Sequence, residues 1–195
     1  MTRSYFNRQA DIWDERIAEK DADKLAGMAK RLDIRRGDTV LDVGTGTGVL
    51  VPFLLEKLGP EGKLVCLDAA EKMLAKARAK NFKGNLEFIR ADICRTTFRD
   101  EVFDVVVCYS SFPHFKDKAA ALKEIGRVLK KGGGLFICHT SSRASINQIH
   151  QRVPEISHDL IPDDREMRQL LLAAGFGQIS LADEAGGYLA KAAKA

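Results

Sequence analysis

Val40-Leu41-Asp42-Val43-Gly44-Thr45-Gly46-Thr47-Gly48-Val49-Leu50 decides how this chain is read. Apolar β-favouring residues flank one carboxylate, glycines alternate with threonines, and an apolar helical pattern begins. The order is strand, tight turn, helix. Glycine lets a ligand lie directly against the main chain, and the helix that follows aims its first N–H groups at whatever sits on the turn. A phosphate-binding loop is excluded, because no Gly-Lys-Ser/Thr follows. The dinucleotide fingerprint wants its third glycine where this chain has Val49. Asp42 would repel a pyrophosphate, and it suits a ligand carrying an ammonium and a sulfonium.

Outward from the turn, strands and helices alternate. Leu50 to Leu58 is an apolar helix that tolerates Pro52 in its first turn. Lys63 to Asp68 is a second strand ending in a carboxylate. Asp68 lies 20 residues beyond Gly48, where doubly wound folds place an acid against ribose hydroxyls. A helix is expected from Ala70 to Lys80 and a third strand from Asn85 to Ala91, with Asp92 at its carboxyl end. Asp92 is either an acceptor for an adenine amino group or an ordinary Asx turn. Phe103 to Tyr109 reads as a central strand buried on both faces. Lys118 to Leu129 is an amphipathic helix closed by Lys130-Lys131-Gly132-Gly133-Gly134, and Leu135 to His139 is a fifth strand. This alternation implies parallel βαβ units.

The ends are less regular. Tyr5, Phe6 and Trp13 belong either to a terminal helix packed on the sheet or to a cap over the ligand cleft. A helix is expected from Asp21 to Leu32. Ser142 to Arg152 reads as helical, with Asn147 and His150 three apart on one face. Asp163-Asp164 caps a helix running to Ala174, and Gly177–Asp183 with Tyr188–Ala193 forms a terminal hairpin.

The 195 residues suffice for one domain with a sizeable core, and 45% hydrophobic with 30% charged residues is an ordinary globular composition. A net charge of +4 permits anionic partners without demanding nucleic acid. No apolar run is long enough for a transmembrane helix, and the first residues lack a signal-peptide core. Cys66, Cys94, Cys108 and Cys138 are scattered, as expected of reduced core cysteines in a cytoplasmic protein.

Five ordered motifs carry a resemblance. Val-Leu-Asp-Val-Gly-Thr-Gly-Thr-Gly is followed by Leu-Asp-Ala-Ala-Glu-Lys-Met-Leu and Ala-Asp-Ile. Then come Phe-Asp-Val-Val-Val-Cys and Arg-Val-Leu-Lys-Lys-Gly-Gly. In this order and register the chain resembles the class I S-adenosylmethionine-dependent methyltransferases. Phe-Asn-Arg-Gln-Ala-Asp-Ile-Trp-Asp near the start is similar to small-molecule members, including the quinone-biosynthesis branch. The resemblance implies an α/β, Rossmann-like, doubly wound sheet of seven strands. Their order would be 3-2-1-4-5-7-6, with strand 7 antiparallel and helices on both faces. It implies a single domain over residues 1–195: an N-terminal helical cap over 1–36, a cofactor core over 37–140, and substrate-side helices with the hairpin over 141–195.

Carried over by residue, the resemblance puts Gly44, Thr45, Gly46 and Gly48 under the methionine part and Asp42 beside its amino group. Asp68 takes the ribose hydroxyls. Ala69 and Met73 flank the adenine, Asp92 takes its amino group, and Ala91 and Ile93 lie beside it. Tyr109 and Ser110 come near the reactive methyl. The cofactor is then S-adenosylmethionine, with S-adenosylhomocysteine as product.

The fourth strand ends in Tyr109-Ser110-Ser111-Phe112, not the Asn/Asp-Pro-Pro-Tyr of base amino-methyltransferases. No glutamate pair follows it, as in protein arginine methyltransferases. There is no basic stripe or separate nucleic-acid module. A small-molecule acceptor is expected, with no nucleic acid or membrane partner and a monomer or homodimer. The alternatives are an RNA or protein methyltransferase, or a cofactor-binding regulatory subunit without transfer activity.

No catalytic motif is visible, and none is required. A sulfonium methyl is already activated, so alignment supplies much of the acceleration. The candidates are His114, His139 and His150, which follow strand ends sharing one edge; His158 lies in the loop beyond. Three readings stand open: pocket residues or a general base, surface or cap histidines, or ligands for a metal or metal-bearing substrate assisted by Asn147 or Asp159. No resident metal is assigned.

Overall fold

The computed structural model describes residues 3–16, 21–184 and 186–195. Residues 1–2 and 17–20 of the expected cap, and residue 185 of the expected hairpin, lie outside the described residues. The strands are β1 (Thr39–Val43), β2 (Lys63–Asp68), β3 (Leu86–Arg90), β4 (Phe103–Tyr109), β5 (Leu129–His139), β6 (Phe176–Glu184) and β7 (Gly187–Lys194). They form one sheet in the order β3-β2-β1-β4-β5-β7-β6, with β7 antiparallel to both neighbours, as the resemblance implied.

Alternation along each strand builds a core on both faces. Leu41, Val43, Val65, Leu67, Val106 and Leu135 turn to one side. There they meet α5 (Lys118–Val128) and α7 (Asp164–Ala173) through Leu122, Ile125, Met167 and Leu171. Val40, Leu64, Cys66, Val105 and Val107 turn to the other. They meet α2 (Ala22–Arg31) and α3 (Val51–Leu58) through Leu25, Met28, Val51 and Leu54. Each fully buried Val, Leu or Phe here contributes about 1.5–3 kcal/mol.

Helix starts follow the capping residues. The Asp21 carboxylate accepts from the Asp23 and Lys24 amides, Asp117 from Ala120, and Asp163 from Glu166. Ser142 caps α6 (Arg143–Gln151) through the Ser145 amide. Two helices flank the ligand edge: α1 (Arg3–Arg16) and α4 (Glu71–Ala79). Phe6 and Ala10 of α1 pack on Ala70 and on Met73 of α4.

The sequence reading is corrected at one junction. Leu129 is not the last helical residue, and Lys130–Gly134 is not a closing turn outside the sheet. α5 stops at Val128, and Leu129 is extended, buried and paired opposite Phe103. The next pairing is Val105 with Gly134, so residues 130–133 form a bulge within β5. Burying Leu129 against the sheet outweighs one more helical turn, and the Lys130 ammonium meets the Asp104 carboxylate at 2.7 Å.

Parallel strands that begin together end together. The register pairs Asp42 with Cys66 and Tyr109 with Cys138. Gly44, Asp68, Ser110 and Thr140 therefore leave the sheet along one edge. Among the described residues no helix is long and apolar enough to cross a membrane.

Gly187 starts β7 with φ +104°, and a Cβ there would collide with the His139 carbonyl oxygen. Gly187→Ala is expected to destabilise the protein by at least about 2 kcal/mol through strain and overpacking. Urea unfolding measures this, and an unchanged midpoint would contradict the packing at the β5–β7 junction.

Candidate active site

The turn after β1 is shaped by hydrogen bonds to β2. The Gly44 and Thr45 amides both donate to the Leu67 carbonyl, at 2.7 and 3.1 Å. Gly44 has φ +73°, and a Cβ on it would strike the Ser111 side chain. Ser111 in turn donates to the Val43 carbonyl at 2.6 Å. The start of the β4 exit loop is thus locked against the turn, which only glycine permits.

Asp68 bridges the two loops. Its Oδ2 accepts the Gly46 amide at 2.8 Å and its Oδ1 the Ala70 amide at 2.7 Å. Asp42 and Asp68 are 2% and 4% exposed, and no Lys or Arg pairs with either among the described residues. Burial pushes the Asp42 carboxyl up to about 7, the Thr45 hydroxyl opposes this, and the Asp68 charge adds to it. Burial likewise pushes Asp68 up to about 6, opposed by its backbone hydrogen bonds. Two unpaired carboxylates beside a cleft are costly unless a cation occupies it.

One cleft gathers most of the expected residues. Asp42, Gly44, Thr45, Gly46, Asp68, Met73, Tyr109, Ser110 and His114 line it. Ala69, Ala91 and Asp92 instead line a second depression with Arg3 and Lys116. Asp92 makes the Asx turn, accepting the Cys94 amide on Oδ1 at 3.0 Å. Ile93 is buried in the core, and Gly48 packs close to Phe82.

The three histidines do not share the cleft. His114 lines it, whereas His139 and His150 do not. His139 is 1% exposed, and burial pushes its imidazole down to about 3, helped by His114 and His150. His158 is exposed. Among the described residues no three His, Cys, Asp or Glu side chains are placed to hold a metal ion.

Other lining residues were left open or missed in the sequence. Phe6 and Trp13 of α1 line the cleft, with ring centroids 5.3 Å apart, and Phe6 stands edge-on to His114 at 4.8 Å. The Thr47 hydroxyl donates to Asp14 at 2.5 Å, and Lys80 pairs with Asp14 at 2.9 Å. Thr47, Val49, Leu50 and Ser111 complete the lining. Thr47 had a signal, its place between two turn glycines; Asp14, far upstream, had none.

The residues present fit a cationic nucleoside. The carboxylates await positive charge, and a Cβ on Gly46 would meet nothing nearer than the Gly44 carbonyl at 4.0 Å, so the main chain there is open to a ligand.

Comparison with known proteins points the same way. A family profile described as a methyltransferase domain matches residues 41–137. The ubiquinone/menaquinone biosynthesis C-methyltransferase of Idiomarina loihiensis is 29% identical over 184 residues, covering 80% of this chain and 73% of that protein. The demethylmenaquinone methyltransferase of Lactococcus lactis is 35% identical over 137 residues, 69% of this chain and 50% of that one. In fold, a methyltransferase from Aquifex aeolicus superposes with a TM-score of 0.77 at 22% identity, over 97% of this chain and 98% of that one. A Thermotoga maritima methyltransferase superposes with a TM-score of 0.79 at 18% identity over the full length of both.

Both carboxyls bind protons more tightly folded than unfolded. The ligand-free protein therefore loses stability as pH rises from the ordinary 3.8 through about 7. Asp42→Asn removes that charge and is expected to stabilise the ligand-free protein by roughly 1–3 kcal/mol at pH 8. The gain should fade towards pH 5. Thermal unfolding at the two pH values checks this; a variant less stable than wild type at pH 8 would contradict it.

Proposed function

Since this chain belongs to the class I S-adenosylmethionine-dependent methyltransferases, we propose that the cleft beneath α1 holds the methyl donor and that the acceptor is a small aromatic molecule of quinol type. The carrying observation is the pair of buried carboxylates beside the glycine turn, without a Lys or Arg partner among the described residues and facing the same cleft as Phe6, Trp13, Tyr109 and His114. S-adenosylmethionine supplies a sulfonium methyl that a nucleophile displaces in line, the bonding pair staying on sulfur.

Each residue's part follows from its chemistry. Asp42 faces the ammonium. Asp68 spends one lone pair of each oxygen on a backbone amide and keeps others for ribose hydroxyls. Met73 faces the adenine from the cleft, Ala69 and Ala91 would meet it from the second depression, where Asp92 offers its second oxygen to the adenine amino group, and Ile93 packs in the core behind them. Gly44, Thr45, Gly46 and Gly48 let the main chain approach. Tyr109 and Ser110 stand where the methyl is passed on. Tyr109 is held by a 3.2 Å hydrogen bond between its hydroxyl and that of Thr140.

The division into cap, core and substrate-side segments fits this reading. α1 places Phe6 and Trp13 over the cleft and excludes water from it. Aromatic walls suit a flat acceptor. Relatives named for quinone biosynthesis support a demethylated quinol as the acceptor to try first.

The test is methyl-labelled S-adenosylmethionine incubated with the protein and a host extract. New labelled product passing a size-cutoff filter is expected; label retained on RNA or protein would overturn the acceptor class. Gly46→Arg is expected to abolish S-adenosylhomocysteine binding while the melting temperature stays within a few degrees. Wild-type affinity in that variant, measured by calorimetry, would refute the site.

A further inference from the structure

We propose that His114 Nε2 is the proton acceptor for an O–H-bearing acceptor molecule, and that Asp159 is its positioning residue. The inference rests on the cleft being the transfer site, and it narrows the acceptor to molecules with an ionisable hydroxyl, such as phenols and quinols.

First, His114 is the one histidine of the three candidates that lines the cleft, and it is 7% exposed. Second, its Nδ1 lies 2.9 Å from Asp159 Oδ2. A carboxylate only accepts, so Nδ1 carries the hydrogen and Nε2 keeps its lone pair for a ligand. Third, the ring is held in plane, with Phe6 edge-on at 4.8 Å and His150 tilted at 4.8 Å.

Fourth, Asp159 sits in the loop between α6 and α7, and α6 clamps that loop. His150 Nδ1 donates to the Asp159 carbonyl at 2.5 Å. Asn147 takes the Ile161 amide on its oxygen at 2.9 Å and donates to the Ile161 carbonyl at 3.1 Å. Asn147 and His150, three apart on one helix face, fix the residue that fixes His114. They are scaffolding for a dyad, not ligands for a metal.

The charges around His114 suit a base that is neutral at rest. Burial, then His150 and Lys118, hold its imidazole below the ordinary value, while Asp159 works the other way. His139 is a further close imidazole, itself pushed down to about 3. In the step, the acceptor's O–H bond breaks, its electron pair stays on oxygen, and the proton joins Nε2. Asp159 stabilises the imidazolium, and the proton returns to solvent after turnover.

The test combines nitrogen NMR of histidine-labelled protein loaded with S-adenosylhomocysteine and methyl transfer to 1,4-dihydroxynaphthalene across pH. His114→Gln identifies the His114 signal among the 4 histidines. His114 is expected as the Nδ1–H tautomer in the wild type. Asp159→Asn should lower its pKa, move the acid limb of the kcat profile to lower pH, and cut kcat about 10–100-fold. KM for the probe and affinity for S-adenosylhomocysteine should stay within about twofold, and Asp159→Glu should restore part of the rate.

A wild-type His114 protonated on Nε2 would overturn the proposal, as would an acid limb unmoved by Asp159→Asn. The wild-type spectrum decides the tautomer even if that variant fails to fold. Wild-type protein that does not bind S-adenosylhomocysteine would overturn the cofactor reading instead.

Discussion

Asp42 and Asp68 are buried at the carboxyl edge of the sheet with no cationic side chain among the described residues paired with them, and the rest of the site is arranged around that charge. Burying one ionised carboxylate without a partner costs several kcal/mol. The chain lowers this cost only in part. Asp68 takes two backbone amides, and the upward shift of both carboxyls gives protonation as a second escape. A ligand carrying positive charge removes the remainder. Its binding energy is stored in the ligand-free fold as local instability, a common bargain at functional sites.

The fold makes the placement rigid. β1 and β2 end in register, so Asp68 stands beside the glycine turn by sheet geometry alone. Gly44 and Ser111 interlock the exits of β1 and β4. α1 closes over this frame by different means. Its ion pairs, such as Lys76–Asp11 and Arg8–Glu155, are largely exposed and worth little. Its hold comes from Phe6 and Ala10 packing on Ala70 and Met73. A rigid floor with a lightly fastened cover suits a site that must admit and release a nucleoside.

Much of this was legible from the amino acids. Continuous apolar runs such as Phe103–Tyr109 and punctuation such as the glycine turn over residues 44–48 placed the strands and helices, because local period and turn chemistry agree there. Asp42, Asp68 and the turn glycines were legible because their spacing is itself the chemistry. The junction at Leu129 was not, since a competition between helix continuation and sheet burial is settled by Phe103, distant in sequence. The cover was legible only as one of two alternatives for Phe6 and Trp13: that they enter the cleft, and that Asp14 reaches Thr47, depends on how α1 docks. Among the histidines, position along the chain suggested convergence, but only packing showed His114 in the cleft, His139 in the interior and His150 bracing a loop.

The measurement that bears most directly on the carboxylate pair is calorimetric titration with S-adenosylmethionine near pH 6.5 and near pH 8.5, in buffers of different ionisation enthalpy. Near pH 6.5 the carboxyls are partly protonated and a cation must displace those protons. Binding is expected to release a sizeable fraction of a proton there and little near pH 8.5, with affinity strengthening as pH rises between them. Equal affinity at both pH values and no buffer dependence would contradict the claim that this carboxylate pair is held ready for a cationic ligand.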